Sequence, residues 1–439
     1  MLSVAAVAVL ALPATAPGQG VEQVWTGNCA RCHGDRGQGG GAGTRTLLDD
    51  VYATSGADRD LFAAARHGMP DAGMPSFGET MSQEQIWALT VYVRELQARA
   101  RREQTGSPRP DEGGVYASRR HSFRIETAIE QGLDTPWAVA FLPGKDGSPG
   151  PMLVTNRSGN LQVYADGTLD PPVAGTPSVR NRGQGGLMDV AVHPDYDANG
   201  WVYLTYSDEI QGDGSLGMTK VVRGRVAGER GAAQWTDEQT VFAAKREHYL
   251  PTDHHFGSRI AFQEAPERGP SGATQYLFFT IGERGRMDHA QDLTLPNGKT
   301  HRVWDDGTIP EDNPFHAAPE GAPSGLYASI WTYGNRNPQG LTFDLEGDLW
   351  STEHGPRGGD ELNRILPGTN YGWPIVSFGI NYNGAPFRTP WPDLTAPALP
   401  PGAIALPVFQ WTPSIAACGL DVVRPGPLGE AFPEWRGHK

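Results

Sequence analysis

Cys29 and Cys32 are separated by two residues and followed at once by His33. This is the spacing by which a c-type heme is attached. Two thiols become thioethers to the porphyrin, and the imidazole takes one axial position on the iron. Such a group carries one electron at a time. With both thiols so used, Cys418 is left alone, no disulfide framework exists, and Cys418 reads as a small buried residue. Downstream, "HGMPDAGMPSFGE" offers Met69 and Met74 as competing sixth ligands, a thioether being the donor that raises a heme's potential. A second set of reactive residues lies far from the first. "LPTDHHFGSRI" holds Asp253, His254, His255 and Arg259 just before an apolar run, and "TYGNRNPQG" holds Arg336 and Asn337 before another. "RNRGQGGLMD" holds Gln184 in the same place, and "TIGERG" holds Arg284 just after a run.

Two kinds of element must position these groups. Around the heme motif are helix-like stretches, "DRDLFAAARHG" and "SQEQIWALTVYVRELQARA". Ser82 is the expected N-cap of the second, and Ile86, Leu89, Val93 and Leu96 form one apolar stripe. "RARREQTGSPRPDEGGVYASRR" is charged, aperiodic and linker-like. Beyond it, short alternating runs recur between turn signals, among them "PWAVAFLPG", "GSRIAF", "QYLFFTIGER", "GLTFDLEGDLWSTEHG" and "ACGLDVV". Several share one phrase: a strand, a turn such as Glu346-Gly347-Asp348, a second strand, a loop. Repeated four-strand units of this kind predict a β-propeller, whose loops converge at one mouth of a central channel. The 57 glycines and 37 prolines among 439 residues agree with turn-rich β architecture. The expected organisation is a signal-like segment over 1–20, a heme domain over 21–100, a linker over 101–120 and the propeller over 121–439.

The net charge of −14, with no long basic run, excludes a nucleic-acid binder. "MLSVAAVAVLALPATA" has the apolar run and small residues of a secretory signal and is too short to span a bilayer. Together with the heme motif, it places the expected location in the bacterial periplasm or outside the cell.

Cys29-Ala30-Arg31-Cys32-His33, then Gly73-Met74-Pro75-Ser76-Phe77-Gly78, then a terminal helix with Trp87 and Tyr92, resembles a small all-α class I cytochrome c. The resemblance makes Met74 the distal ligand. The later part resembles the soluble quinoprotein glucose/sorbosone (aldose sugar) dehydrogenases. It does so through Gly183-Gln184-Gly185-Gly186-Leu187, His255-Phe256-Gly257-Ser258-Arg259, Gly282-Glu283-Arg284, Asn335-Arg336-Asn337-Pro338-Gln339-Gly340, Glu353-His354-Gly355-Pro356-Arg357-Gly358-Gly359-Asp360-Glu361 and Asn370-Tyr371-Gly372-Trp373-Pro374. These motifs run in family order from about Leu133 onward. The resemblance implies a mainly β, six-bladed propeller holding pyrroloquinoline quinone (PQQ) and calcium. It also implies that an aldose is oxidised at its anomeric carbon to a lactone.

On that resemblance His255 is the base and Arg336 polarises the quinone carbonyl, as general acid–base and electrostatic catalysis require. Asn337 and Arg284 contact the cofactor, and Gln184 and His254 line the sugar position. The carbonyls of Gly355 and Pro356 hold the cofactor's calcium, while Glu361 and the carbonyl of Tyr371 hold a second one; calcium takes oxygen donors of these kinds. The heme c empties the quinol one electron at a time and passes electrons to a periplasmic or respiratory acceptor. Against the family pattern, "EAFPEWRGHK" lies ahead of the last blade or so. The expectation is therefore a C-terminally truncated propeller whose last blade is incomplete. The rival reading is a non-catalytic sugar- or protein-binding propeller with a relay heme. A calcium-dependent lactone hydrolase fits less well, because it needs side-chain carboxylates at the channel.

Overall fold

The computed structural model describes residues 20–40, 45–49, 57–144, 149–210, 213–269, 272–317, 324–387 and 404–438. The chain divides into two compact units, one formed by Met1–Gln104 with Gly379–Thr389, the other by Thr105–Phe378 with Pro390–Lys439. The signal-like stretch before Gly20 lies outside the described residues.

The first unit is helical: α1 (Val21–Asn28), α2 (Ala30–His33), α3 (Ala57–His67) and α4 (Gln83–Thr105). Ser82 caps α4 as the sequence predicts. Gln85 N–H donates to its Oγ (3.3 Å), and the Gln85 side chain accepts from the Ser82 amide (2.9 Å). This reciprocal capping box satisfies two N–H groups that a helix start leaves open. The stripe of Ile86, Leu89, Val93 and Leu96 is buried. Trp25 meets Tyr92 edge-on at 5.7 Å, and Phe62 lies 6.3 Å from Trp87. Each such large apolar side chain contributes about 1.5–3 kcal/mol when fully buried. Helix α4 runs on through Thr105, so the first residues of the expected linker are helical. Gly379–Phe387, distant in sequence, also belongs to this unit, and Val21 N–H donates to Gly384 O at 2.9 Å.

The second unit is β. A hairpin, β1 (Val115–Ala117) and β2 (Ser122–Arg124), precedes four antiparallel four-stranded sheets. The first holds β3 (Pro136–Pro143), β4 (Pro149–Asn156), β5 (Leu161–Ala165) and β6 (Thr168–Leu169). The second holds β7 (Leu187–Val192), β8 (Val202–Ile210), β9 (Asp213–Ala227) and β10 (Gln234–Phe242). In the third are β11 (Ile260–Glu264), β12 (Gln275–Ile281), β13 (Lys299–Trp304) and β14 (Ile330–Tyr333). In the fourth are β15 (Pro338–Phe343), β16 (Leu349–Glu353), β17 (Asp360–Ile365) and β18 (Phe409–Trp411). The architecture is propeller-like. Among the described residues it has four such sheets, where six blades are expected from the resemblance.

The Glu346-Gly347-Asp348 turn forms as predicted. The Asp344 carboxylate accepts from the amides of Glu346 (3.0 Å) and Asp348 (2.9 Å) and from Trp350 Nε1 (2.7 Å). Three apolar clusters fill the sheets, among them Tyr203, Leu277, Phe279 and Val303 in one and Leu153, Leu187, Leu204 and Val222 in another. A threonine on the second strand of each sheet reaches into the next repeat. Thr155 Oγ1 donates to Met188 O (2.6 Å), Thr205 to Ser258 O (2.8 Å), Thr280 to Pro338 O (3.0 Å) and Thr352 to Cys418 O (3.2 Å). Residues 417–423, expected as a strand, therefore stand where the next repeat's first strand would begin. They form no ladder among the described residues. Cys418 is exposed rather than buried.

Candidate active site

Antiparallel pairing decides which loops can meet. In each sheet the first strand begins where the second ends: Ile260 pairs with Phe279, and Pro338 with Glu353. The segments before β7, β11 and β15 and after β12 and β16 thus share one end of their sheets. They carry Gln184, His254–His255, Arg336–Asn337, Glu283–Arg284 and His354–Pro356.

His255 is the centre of this constellation. Its backbone sits at φ +56°, the left-handed region that costs a non-glycine residue roughly 1–3 kcal/mol. Its amide donates to Gln184 Oε1 at 2.8 Å, and its Nδ1 is paired with Glu283 Oε1. Glu283 is 1% exposed, and its own amide donates to Arg336 O at 2.8 Å. A carboxylate on Nδ1 holds the proton there and leaves Nε2 as the basic atom. Nε2 makes no hydrogen bond among the described residues. Burial pushes the His255 pKa below its ordinary value and Arg336 adds to this, while Glu283 opposes it. Gly282 makes the close approach possible, since a Cβ there would lie 2.3 Å from His255 O. The sequence reading missed Glu283 as a partner of His255. Its signal was a carboxylate beside Arg284 at a strand end, a position that becomes informative only once β11 and β12 are paired.

Arg336 is buried. Its Nη1 donates to the carbonyls of His354 (3.1 Å) and Gly355 (2.8 Å), its amide donates to Glu353 Oε2 (2.9 Å), and its guanidinium lies 5.1 Å from the Trp373 ring. Asn337 Oδ1 accepts from the Gly257 amide at 3.1 Å, which ties the His255 loop to β15. Gln184 and His254 are exposed, and the His254 ring stands perpendicular to His255 at 4.6 Å. Arg284 is placed differently from the expectation of a cofactor contact. It is fully enclosed, stacked 3.6 Å over Phe256, and donates to the carbonyls of Thr252, His254 (2.9 Å) and Gly217 (2.9 Å). Burial pushes its pKa down to about 9. Its N–H groups brace the His254–His255 loop from behind.

A cavity of about 10 Å³, room for one water-sized body, is lined by Arg336, Glu353, Gly355, Glu361, Tyr371 and Trp373 among others. Burial pushes the Glu353 carboxyl up to about 7. Glu361 is pushed well above the usual range by burial and by the charge of Glu353. Two buried carboxyls beside backbone carbonyls suit a hard cation, which would relieve their repulsion. No cluster of three or more His, Cys, Asp or Glu side chains among the described residues could hold a metal, so such a cation leans on carbonyls. Calcium thus fits Glu361 with its neighbour Glu353. At Gly355 it would share the carbonyl that Arg336 already engages.

In the helical unit, Cys29, Cys32 and His33 lie on one turn, with the Cys32 and His33 amides donating to Cys29 O at 3.1 and 2.9 Å. Burial lowers the His33 pKa and keeps the ring neutral, the form that binds iron, and its Nδ1 is buried without a partner. These features fit a covalently held heme. Met69 and Met74 exchange backbone hydrogen bonds (2.9 and 3.1 Å) across a tight turn. Met69 is 50% exposed and Met74 half-buried.

Residues 133–439 match the family described as Glucose / Sorbosone dehydrogenase. The chain belongs to that family. Residues 16–93 match the family described as Cytochrome C oxidase, cbb3-type, subunit III. The chain is 39% identical over 310 residues to the aldose sugar dehydrogenase YliI of Escherichia coli (strain K12), covering 70% of this chain and 74% of that one. It is 31% identical over 217 residues to quinoprotein glucose dehydrogenase B of Acinetobacter calcoaceticus, covering 44% and 41%. The apo-form crystal structure of the soluble E. coli aldose sugar dehydrogenase superposes with a TM-score of 0.57, covering 69% of this chain and 78% of that chain. The chain is thus a sugar dehydrogenase of the quinoprotein type with a cytochrome c domain joined to its N-terminal side.

Proposed function

We propose that this glucose/sorbosone dehydrogenase oxidises an aldose at its anomeric carbon to the lactone, with PQQ as hydride acceptor and heme c as the next electron carrier. The carrying observation is the Glu283–His255 pair held beside Arg336 at one end of adjoining sheets. His255 Nε2 takes the proton of the anomeric hydroxyl as the C1 hydride leaves. Glu283 fixes the tautomer and stabilises the imidazolium that results. Arg336, enclosed by protein, lends positive charge where negative charge grows on the acceptor. Gln184 and His254, the exposed members of the set, bind sugar hydroxyls. PQQ, when bound, supplies a quinone that accepts two electrons. Calcium, when bound at Gly355 and Pro356, supplies a Lewis acid; a second calcium at Glu361 and the Tyr371 carbonyl supports the fold. The heme on Cys29, Cys32, His33 and Met74 supplies a one-electron relay to a periplasmic or respiratory acceptor. We assign the enzyme to the periplasm or cell exterior on the heme motif and the signal-like start. No helix of the described residues is long and apolar enough to cross a membrane.

The test is optical. The heme-loaded protein receives calcium, PQQ and an aldose, and the heme bands are followed. Reduction that needs PQQ and sugar together, and that His255→Ala abolishes, supports the dehydrogenase. No reduction under any addition overturns it in favour of a binding propeller.

A further inference from the structure

We infer that Asp360 is a positioning residue of this site. Resting on the dehydrogenase reading, it sets the geometry of Arg336 and of the carbonyls beside it. Asp360 opens β17 and is fully buried, yet four groups donate to its carboxylate. Oδ1 accepts from the Gly355 amide (2.9 Å) and Ser414 Oγ (2.7 Å); Oδ2 accepts from the amides of Ile415 (2.8 Å) and Ala416 (2.6 Å). A carboxylate has acceptor capacity for four such bonds, and the two oxygens of Asp360 take two each.

Both segments that Asp360 joins belong to the site's end of the sheets. Gly355 follows β16, and its carbonyl is the closer of the two that fix Arg336. Ser414–Ala416 precede residues 417–423, which take the Thr352 bond as the first strand of a further repeat would. That makes 414–416 the positional counterpart of the segments carrying Gln184, His255 and Arg336 in the preceding repeats. The backbone agrees: Ala416 has φ +55°, against +56° for His255. Asp360 therefore clamps the fourth loop of the series against the Gly355 turn and, through that turn, holds Arg336. Asparagine cannot replace it, because one of its two termini would be an NH2 group facing donors.

The full heme-loaded chain is compared as wild type, Asp360→Asn and Ser414→Ala, the last removing one bond of the four. PQQ uptake in calcium buffer is titrated by calorimetry. Melting temperature is recorded, and kcat and KM for glucose are measured at saturating PQQ. The expected result is PQQ binding weakened about tenfold in Asp360→Asn and less in Ser414→Ala, as loss of a supporting contact behind a ligating group typically causes. In both variants kcat falls while the sugar KM stays within about twofold, because Gln184 and His255 hang from other loops. Variants that melt earlier but bind PQQ as tightly as wild type overturn the assignment and leave Asp360 a fastening of the fold. Variants unchanged in every readout overturn it as well. A wild type that takes up no PQQ overturns the dehydrogenase reading and this assignment with it, whereas a binding wild type beside equally binding variants overturns the assignment alone.

Discussion

At the scale of single residues, His255, the proposed base, is constrained by three neighbours: Gln184 on its amide, Glu283 on Nδ1 and Arg336 close enough to depress its pKa. His255→Ala should lower kcat by about 10²–10⁴-fold, the usual range for losing a general base. Its pKa is lowered below the ordinary histidine value, so at neutral pH the base is already deprotonated. Activity should fall only as acid brings the pH down through that lowered value. Glu283 works against the depression. Glu283→Gln should therefore move the acidic limb of the kcat–pH profile to still lower pH while reducing kcat, and a limb that moved upward would contradict the pairing. In the heme unit, Met74→Ala should lower the midpoint potential measured by redox titration, since a thioether ligand raises it. Met69→Ala should leave the potential unchanged, in keeping with its greater exposure.

At the scale of elements, the loop between β10 and β11 is held from behind by Arg284, whose guanidinium satisfies three carbonyls in a dry setting. Arg284→Met keeps the length and removes the donors. It should destabilise the protein by about 2–4 kcal/mol, because buried carbonyls left without donors cost about 1–3 kcal/mol each before relaxation. Calorimetric melting would show the loss, and kcat would fall with it as the His255 loop loosens. The pocket between β16, β17 and the Tyr371 segment makes a separate prediction. Calcium should raise the melting temperature, by an amount equivalent to about 2.7 kcal/mol at a hundredfold excess over its dissociation constant. Chelation should reverse the gain, and Glu361→Gln should abolish it.

At the scale of the whole molecule, the proposed function puts a one-electron carrier and a two-electron site on one chain. Tethering fixes an effective concentration that dilution does not change. The rate of heme reduction after sugar is added should therefore be independent of protein concentration in stopped-flow measurements. A rate proportional to concentration would mean that the heme is served by another molecule's quinol.

The sequence by itself determined the chemistry's ingredients. Cys29, Cys32 and His33 act within one helical turn, so their spacing is their geometry. The stripe and Ser82 cap of α4 are likewise local, as is the turn around Asp344. The order of the propeller motifs was enough to reveal the family. Tertiary structure alone decided what each distant residue faces. His255 and Glu283 are separated by 28 positions and meet because β11 and β12 run antiparallel. Arg284, adjacent to Glu283 in sequence, points the other way and becomes a brace. The apolar alternation of 417–423 promised a strand, yet alternation states only which face is apolar. A strand also needs a neighbour's N–H and C=O groups, and those are supplied by the fold.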